Sequence, residues 1–209
     1  MRLEPGHPDQ AGLLTQLAED NAAGVRLSPE SRTASADPLA VWKKAGELGL
    51  PVSCQGDLEK FSDPEFRRLL DHCPDTAVVI EHLGGVSRAK PPYENFSAML
   101  AVADRPNVYI KVPGLGEIVP RPARLGPHFH FDNVPPLLEM TLEAFGARRM
   151  MWGSDFPPVA RREGYRNALH GITSHPAFAD RNNLEQVMGL TAARVWGFPD
   201  PPASSPACD

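Results

Sequence analysis

The chain has 209 residues, of which 42% are hydrophobic and 22% charged, as is usual for a globular protein large enough to bury a core. A net charge of −5 argues against a nucleic-acid partner, and no apolar stretch is long enough to cross a membrane. No apolar signal segment opens the sequence, and the cysteines Cys54, Cys73 and Cys208 lack a metal-type spacing. We therefore expect a cytoplasmic protein with no nucleic-acid and no membrane partner.

Predicted helices and strands alternate along the chain. Helical patterns cover residues 8–23, 37–49, 63–72, 91–103, 135–145, 160–173 and 182–195. Short apolar runs typical of buried strands lie between them, at residues 24–27, 50–54, 76–80, 107–112 and 149–152. Strands of this kind, each separated from the next by a helix, predict a parallel sheet covered by helices. The Pro/Ser-rich tail, residues 199–209, is expected to be disordered because it has little to bury.

Polar residues stand where the predicted strands end. They are Arg26, Gln55, His82, Lys111 and Asp155. Chemistry in parallel α/β folds sits at the carboxyl ends of strands, and parallel strands bring these ends to one face. For any single residue, the plain interpretation that a strand has simply ended is at least as good. As a set, they predict a site on that face.

Asp155 and His82 are the strongest of these candidates. Asp155 follows the last apolar strand through Gly153 and Ser154, where a carboxylate can ligate a divalent metal or accept a proton from water. The alternative for Asp155 is a cap or turn for the next helix. His82 directly follows a β-branched strand, where an imidazole can ligate a metal or hold a substrate oxygen. The alternative for His82 is a histidine bonded to backbone.

Other polar residues are weaker candidates. The segment His128-Phe129-His130 has the spacing of a metal-binding pair, but no apolar strand precedes it, which favours an ordinary loop. Arg161, Arg162 and Tyr165 could contact an anionic substrate, although we expect them to be exposed and solvated. Cys54 lies in a predicted strand and is interpreted as inert core.

Several segments in one order resemble the amidohydrolase-2 family of metal-dependent hydrolases. They are residues 24–27, 49–53, 79–84, 107–111, 145–157 and 192–198, of which the segment around Asp155 is the most specific. The resemblance implies a TIM-barrel (β/α)8 fold and a divalent metal, with zinc the expected ion. It also implies that His82 and Asp155 are catalytic residues and metal ligands, and that Arg26, Gln55 and Lys111 bind substrate. Many family members carry a histidine at the position of Gln55, and glutamine is a poorer metal ligand.

The resemblance also implies an incomplete barrel. The strands correspond to the fourth to eighth of the family, whose H-x-H motif after the first strand has no counterpart here. We therefore expect residues 1–198 to form a single amidohydrolase-like domain without the first three βα units. A fragment, a misplaced start codon and a truncated gene all remain open. Exposed strand edges would favour a homo-oligomer.

Three functions follow as expectations from this resemblance. The first is a lactonase-like hydrolase in which water attacks a small cyclic ester or related carboxylate. The second is a metal-dependent decarboxylase, a lyase chemistry of the same family. The third is an inactive truncated remnant. In the first, Asp155 would activate the water, and His82 would ligate a metal or polarise the substrate carbonyl.

Overall fold

A computed structural model of the protein describes residues 9–120 and 131–198. These residues contain a five-stranded parallel sheet in which neighbours along the chain are neighbours in space. Its strands are β1 (Val25–Leu27), β2 (Val52–Cys54), β3 (Val78–Ile80), β4 (Val108–Val112) and β5 (Met150–Trp152). The predicted parallel α/β sheet is confirmed. Within the described residues the sheet is open, with β1 and β5 at its edges, which is compatible with an incomplete TIM barrel. The predicted disordered tail and the His128-Phe129-His130 motif lie outside the described residues.

Helices cover the sheet and connect its strands. The longer ones are α1 (Gln10–Glu19), α2 (Ala40–Glu47), α4 (Pro64–His72), α6 (Glu94–Leu100), α7 (Leu137–Phe145) and α9 (Tyr165–Thr173). The shorter ones are α3 (Leu58–Ser62), α5 (His82–Gly85), α8 (Pro158–Arg162), α10 (Arg181–Glu185) and α11 (Thr191–Trp196). A π-helical turn over Gln186–Leu190 joins α10 to α11. No helix in the described residues is both long and apolar enough to cross a membrane.

Local sequence explains why α4 forms where it does. The Asp63 carboxylate accepts a hydrogen bond from the backbone N–H of Glu65 at 2.7 Å, which caps the helix. Pro64 then occupies the first helical position, where its missing N–H costs nothing. Phe66, Leu69 and Leu70 recur at helical spacing on one face, and all three are buried. The cap and the apolar stripe together dock α4 on the core.

The helices of the structure differ from the predicted ones in two notable places. Residues 160–173 were predicted as one helix, but the chain breaks between α8 and α9 at Gly164, which has a φ of 82°. This left-handed conformation interrupts the helical hydrogen-bond pattern and is readily adopted by glycine. Helix α3 was not predicted, because its five residues are too few to display a clear period. Its start is fixed by Asp57, whose side chain accepts from the backbone N–H of Lys60 at 3.1 Å.

The two faces of the sheet differ in character. On the outer face, side chains such as Val52, Cys54 and Ile80 are fully buried beneath the helices. Burial raises the pKa of the Cys54 thiol well above its ordinary value, as expected of an inert core residue. On the inner face, the paired register brings Arg26 of β1 beside Ser53 of β2. Side chains alternate along a strand, so this inner face carries polar groups toward the carboxyl ends.

Trp196 lies against residues at both edges of the sheet. Its indole Nε1 is 3.4 Å from the sulfur of Met151 in β5. Its ring also lies so close to Gly24, just before β1, that a Cβ there would be 2.6 Å from a ring carbon. Helix α11 therefore contributes one side chain that contacts residues at both edges of the sheet.

Candidate active site

Strand β3 ends in a sharp turn that carries His82, and the short segment α5 is this left-handed turn and not a regular α-helix. The φ angles of His82 and Leu83 are 52° and 50°, and Gly84 and Gly85 continue in the left-handed region. Asp155, after β5, is also left-handed, with a φ of 56°. Residues other than glycine seldom adopt this conformation, which costs about 1 kcal/mol or more for each residue. Such strain is typical of positions where the surrounding structure holds a functional side chain.

The left-handed turns bring His82 and Asp155 together. The Nε2 of His82 is 3.7 Å from Oδ1 of Asp155. A third group, Glu117 in the short turn Leu115–Glu117 after β4, lies 3.1 Å from Nδ1 of His82 through its Oε1. One ligand atom from each of the three side chains lies within 4.8 Å of the others. We call these residues the His82–Glu117–Asp155 cluster.

Arg162, the last residue of α8, contacts two members of this cluster. Its Nη1 donates to Oε1 of Glu117 at 2.7 Å and lies 3.4 Å from Oδ2 of Asp155. Its Nε donates to Oε2 of Glu163 at 2.6 Å, and the Glu163 side chain is fully buried. The Arg162 side chain is only 20% exposed, so the expectation that it is a solvated surface residue was wrong.

A second polar group centres on Glu81, which directly precedes His82. Its carboxylate accepts hydrogen bonds from Arg26 Nη2 and Ser53 Oγ, both at 2.6 Å, and lies 3.6 Å from Lys111 Nζ. Burial acts to raise the pKa of Glu81, but the Ser53 hydrogen bond and the charges of Lys111 and Arg26 outweigh it and lower that pKa. Glu81 is therefore an ionised buried carboxylate that fixes two cations. It also lies 4.0 Å from His82 Nε2, which links the two polar groups.

The carboxylates around His82 change its titration. Burial favours the neutral imidazole, but the hydrogen bond and charge of Glu117 and the charges of Asp155 and Glu81 outweigh this effect and raise the pKa of His82. Burial acts to raise the pKa of Glu117, but the hydrogen bonds and charges of His82 and Arg162 outweigh it and lower that pKa. The two groups therefore stabilise each other as an imidazolium and a carboxylate.

Sequence similarity identifies the family. An amidohydrolase family model, that of the amidohydrolase-2 group, matches residues 9–198. This chain belongs to the amidohydrolase family. The resemblance stated from the sequence segments is thereby confirmed.

Two curated relatives match parts of this chain. An L-fucono-1,5-lactonase from Burkholderia ambifaria is 35% identical over 98 residues, which are 44% of this chain and 30% of the lactonase. An uncharacterized protein from Sinorhizobium fredii is 30% identical over 159 residues, which are 74% of this chain and 50% of that protein. The matched parts thus span half or less of these curated relatives.

Solved amidohydrolase structures share the fold. A putative 2-pyrone-4,6-dicarboxylic acid hydrolase from Pseudomonas putida is similar with a TM-score of 0.66 and 22% identity, over 95% of this chain and 71% of the other. An amidohydrolase from Burkholderia multivorans with bound zinc gives a TM-score of 0.69 and 19% identity, over 93% of this chain and 72% of the other. At these identities the similarity concerns the fold.

The structure brings together most of the residues that the sequence singled out. His82 and Asp155 lie in one cluster, while Arg26 and Lys111 meet at the neighbouring Glu81. Gln55 is exposed and takes no part in either group.

Glu81 and Glu117 were not singled out from the sequence. Glu81 could have been found, because strand alternation places it on the same face as Val79, two residues before it. Glu117 follows a Pro-Gly-Leu-Gly segment and carries no comparable signal.

The His82–Glu117–Asp155 cluster also fits a metal by its donor chemistry. One imidazole nitrogen and two carboxylate oxygens are donors that zinc accepts, and three protein ligands leave a coordination position open for water or substrate. Any such ion would share Glu117 and Asp155 with the guanidinium of Arg162.

Proposed function

We propose that this chain carries the active site of a hydrolase that opens a small lactone by attack of water on the ester carbonyl. The observation on which the proposal rests is the juxtaposition of His82 and Asp155, 3.7 Å apart at the carboxyl end of the sheet. Similarity to an L-fucono-1,5-lactonase and to a putative 2-pyrone-4,6-dicarboxylic acid hydrolase supports a lactone as the substrate class.

In this proposal Asp155 is the general base. Its carboxylate accepts a proton from a water molecule while the water oxygen bonds to the carbonyl carbon of the lactone. The tetrahedral intermediate then breaks its bond to the ring oxygen, and the proton passes from Asp155 to that oxygen. The product is an open-chain hydroxy acid, and Asp155 returns to its carboxylate form.

His82 stabilises the oxygen on which negative charge develops. Its raised pKa increases the share of the imidazolium form, whose Nε2–H can donate to the carbonyl oxygen. Glu117, hydrogen-bonded to Nδ1, orients the ring for this contact. A divalent metal held by His82, Glu117 and Asp155 would supply Lewis-acid polarisation of the same carbonyl.

The charges near the site favour an uncharged lactone over a multiply anionic one. Among the described residues, Arg26 and Lys111 both face Glu81, and Arg162 faces Glu117, Asp155 and Glu163. These cations are already compensated by carboxylates, which weakens their attraction for a substrate carboxylate. The same charges give little support to the alternative of a decarboxylase, whose substrate must present a carboxylate.

We assign Arg26 and Lys111 to binding neutral substrate oxygens. The Arg26 side chain is 41% exposed, so part of it is open to a hydroxyl or carbonyl oxygen of a substrate. Gln55 stays a prediction as a substrate-binding residue, because its exposed side chain lies outside both polar groups.

The test is substitution of Asp155 by asparagine. Assayed with aldono-1,5-lactones, L-fucono-1,5-lactone among them, Asp155→Asn is expected to lower kcat by about a thousandfold, within the usual range for a general base. KM should change little, because the substituted amide keeps the shape of the carboxylate. The matched control is Asp20→Asn, an exposed aspartate at the end of α1.

Two outcomes would contradict the proposal. One is a rate for Asp155→Asn equal to that of the unaltered protein, which would remove Asp155 from the base role. The other is the absence of turnover of every lactone by the unaltered protein, which would favour the inactive alternative.

A further inference from the structure

Arg162, at the end of α8, lies beside two carboxylates whose charges repel each other. The two carboxylates of the His82–Glu117–Asp155 cluster carry two negative charges in a partly buried space, with side chains 16% and 27% exposed for Glu117 and Asp155. Arg162 Nη1 approaches both of them, at 2.7 Å and 3.4 Å. A guanidinium keeps its charge at all ordinary pH values, so this compensation is permanent.

Arg162 is held in place from its other side. Glu163 receives hydrogen bonds from Nε at 2.6 Å and from Nη2 at 3.3 Å, which makes a two-point contact. The Glu163 carboxylate is itself packed against the loop after β4, where a Cβ on Gly114 or Gly116 would lie 2.2 Å or 2.4 Å from its oxygens. The guanidinium is therefore held on a buried support, unlike a mobile surface arginine.

We propose that Arg162 is a tethered counter-cation of Glu117 and Asp155 and that it competes with divalent metal ions for these two carboxylates. The inference rests on the proposed function, because it concerns the same cluster. A metal ion bound to Glu117 and Asp155 would lie within a few ångströms of the guanidinium, where two like charges repel strongly. Arg162 thereby lowers the affinity of the site for metal ions. The Asp155 carboxylate then stays uncoordinated and can accept a proton from water.

The test measures zinc binding, with no need for turnover. Zinc chloride is titrated calorimetrically into the unaltered protein, into Arg162→Gln, and into Arg161→Gln as the control with an exposed neighbouring arginine. Removal of the Arg162 charge is expected to tighten the zinc dissociation constant by about tenfold or more, given the size of Coulomb energies at such distances. The control is expected to match the unaltered protein.

Two further variants separate charge from packing. Arg162→Met keeps most of the apolar stem without the charge and should also tighten zinc binding, which covers the case that the glutamine variant fails to fold. Arg162→Lys keeps a positive charge but loses the two-point contact with Glu163, so its zinc affinity should lie between those of the unaltered protein and Arg162→Gln. Cobalt(II) absorption spectra of the same variants report whether the bound ion acquires protein ligands, and His82→Asn should abolish that signal in Arg162→Gln.

Each result decides the question. An unchanged or weaker zinc affinity in Arg162→Gln and Arg162→Met, compared with the unaltered protein, would overturn the proposal. If no variant bound zinc, competition with metal would also be excluded. A protein that turned over no lactone would still show the expected gain in zinc affinity, so failure of the proposed function is distinguishable from failure of this inference.

Discussion

His82 is surrounded by three carboxylates. Carboxylate oxygens of Glu117, Asp155 and Glu81 lie 3.1 Å, 3.7 Å and 4.0 Å from its ring nitrogens. The neighbouring Glu117 is shared between His82 and Arg162. Loss of one carboxylate would leave the others to hold the imidazolium, whereas loss of His82 would leave carboxylates facing one another. The imidazole therefore has an electrostatic role in the folded state in addition to any role in turnover.

This role predicts a pH dependence of stability. Folding raises the pKa of His82 above its ordinary value of 6.5. The contribution of His82 to the free energy of unfolding should therefore be fully present below pH 6.5 and should disappear as the pH rises through the higher folded-state pKa. Urea unfolding of the unaltered protein and of His82→Gln, at pH 6 and at pH 9, would measure the difference in unfolding free energy. The difference is expected to be larger at the lower pH, and an equal difference at both would contradict the assignment.

At the level of elements, the loop after β4 packs against Glu163, which lies at the break between α8 and α9. Gly114 adopts a φ of −68° and a ψ of 152°, which alanine also tolerates, so its backbone does not require glycine. The space beside its Cα is instead occupied by Glu163 and by Ala168 of α9. A Cβ added at Gly114 would lie 2.2 Å and 2.7 Å from their side chains. The loop is therefore packed tightly enough to position Glu117 on one side and Arg162, through Glu163, on the other.

Gly114→Ala should accordingly destabilise the protein by about 1–3 kcal/mol, the usual cost of overpacking. The matched control is Gly189→Ala in the π-helical turn, where a Cβ would meet nothing within 4 Å. That control should be neutral or stabilising by up to about 1 kcal/mol, because alanine favours the helical turn and restricts the unfolded chain. Both are measured by urea unfolding, and equal midpoints for the two variants would show that the packing around Glu163 is looser than described.

The same elements explain what the sequence could and could not predict. The strands were predictable because β-branched runs such as that of β3 are local, and Asp155 because its strand and turn signals are adjacent. Glu117 was not, because its place in the site depends on a contact with Arg162, 45 residues further along the chain. Arg162 was misjudged for the same reason. Its burial follows from the break at Gly164 and from Glu163, and neither effect appears in a helical periodicity.

At the level of the whole molecule, polar groups gather at the carboxyl end of the sheet, where Glu81 and the cluster around His82 lie. Trp196 contacts both edges of the sheet, at Gly24 before β1 and at Met151 in β5. This one side chain therefore couples the first and last strands, although they are not neighbours in the described sheet.

Trp196→Ala should lower the free energy of unfolding by about 2–3 kcal/mol, somewhat less than the cost for a fully buried tryptophan. Phe198→Ala is the control, because Phe198 lies two residues later and is 59% exposed. It should change stability by about 0.5 kcal/mol or less. Chemical denaturation monitored by far-UV circular dichroism makes the comparison, and a similar loss in both variants would contradict a bridging role for Trp196.

The left-handed backbone at His82 and Asp155 has a consequence for how this sequence would change under selection. Glycine at either position would relieve the unfavourable conformation, although it would also lose the side chain and its ion pairs. In a laboratory selection for thermal resistance alone, substitutions at these two positions would gain stability and lose the catalytic side chains. A selection for turnover would instead keep the imidazole and the carboxylate and compensate elsewhere in the fold. The fate of residues 82 and 155 under the two regimes would therefore report whether the site is in use.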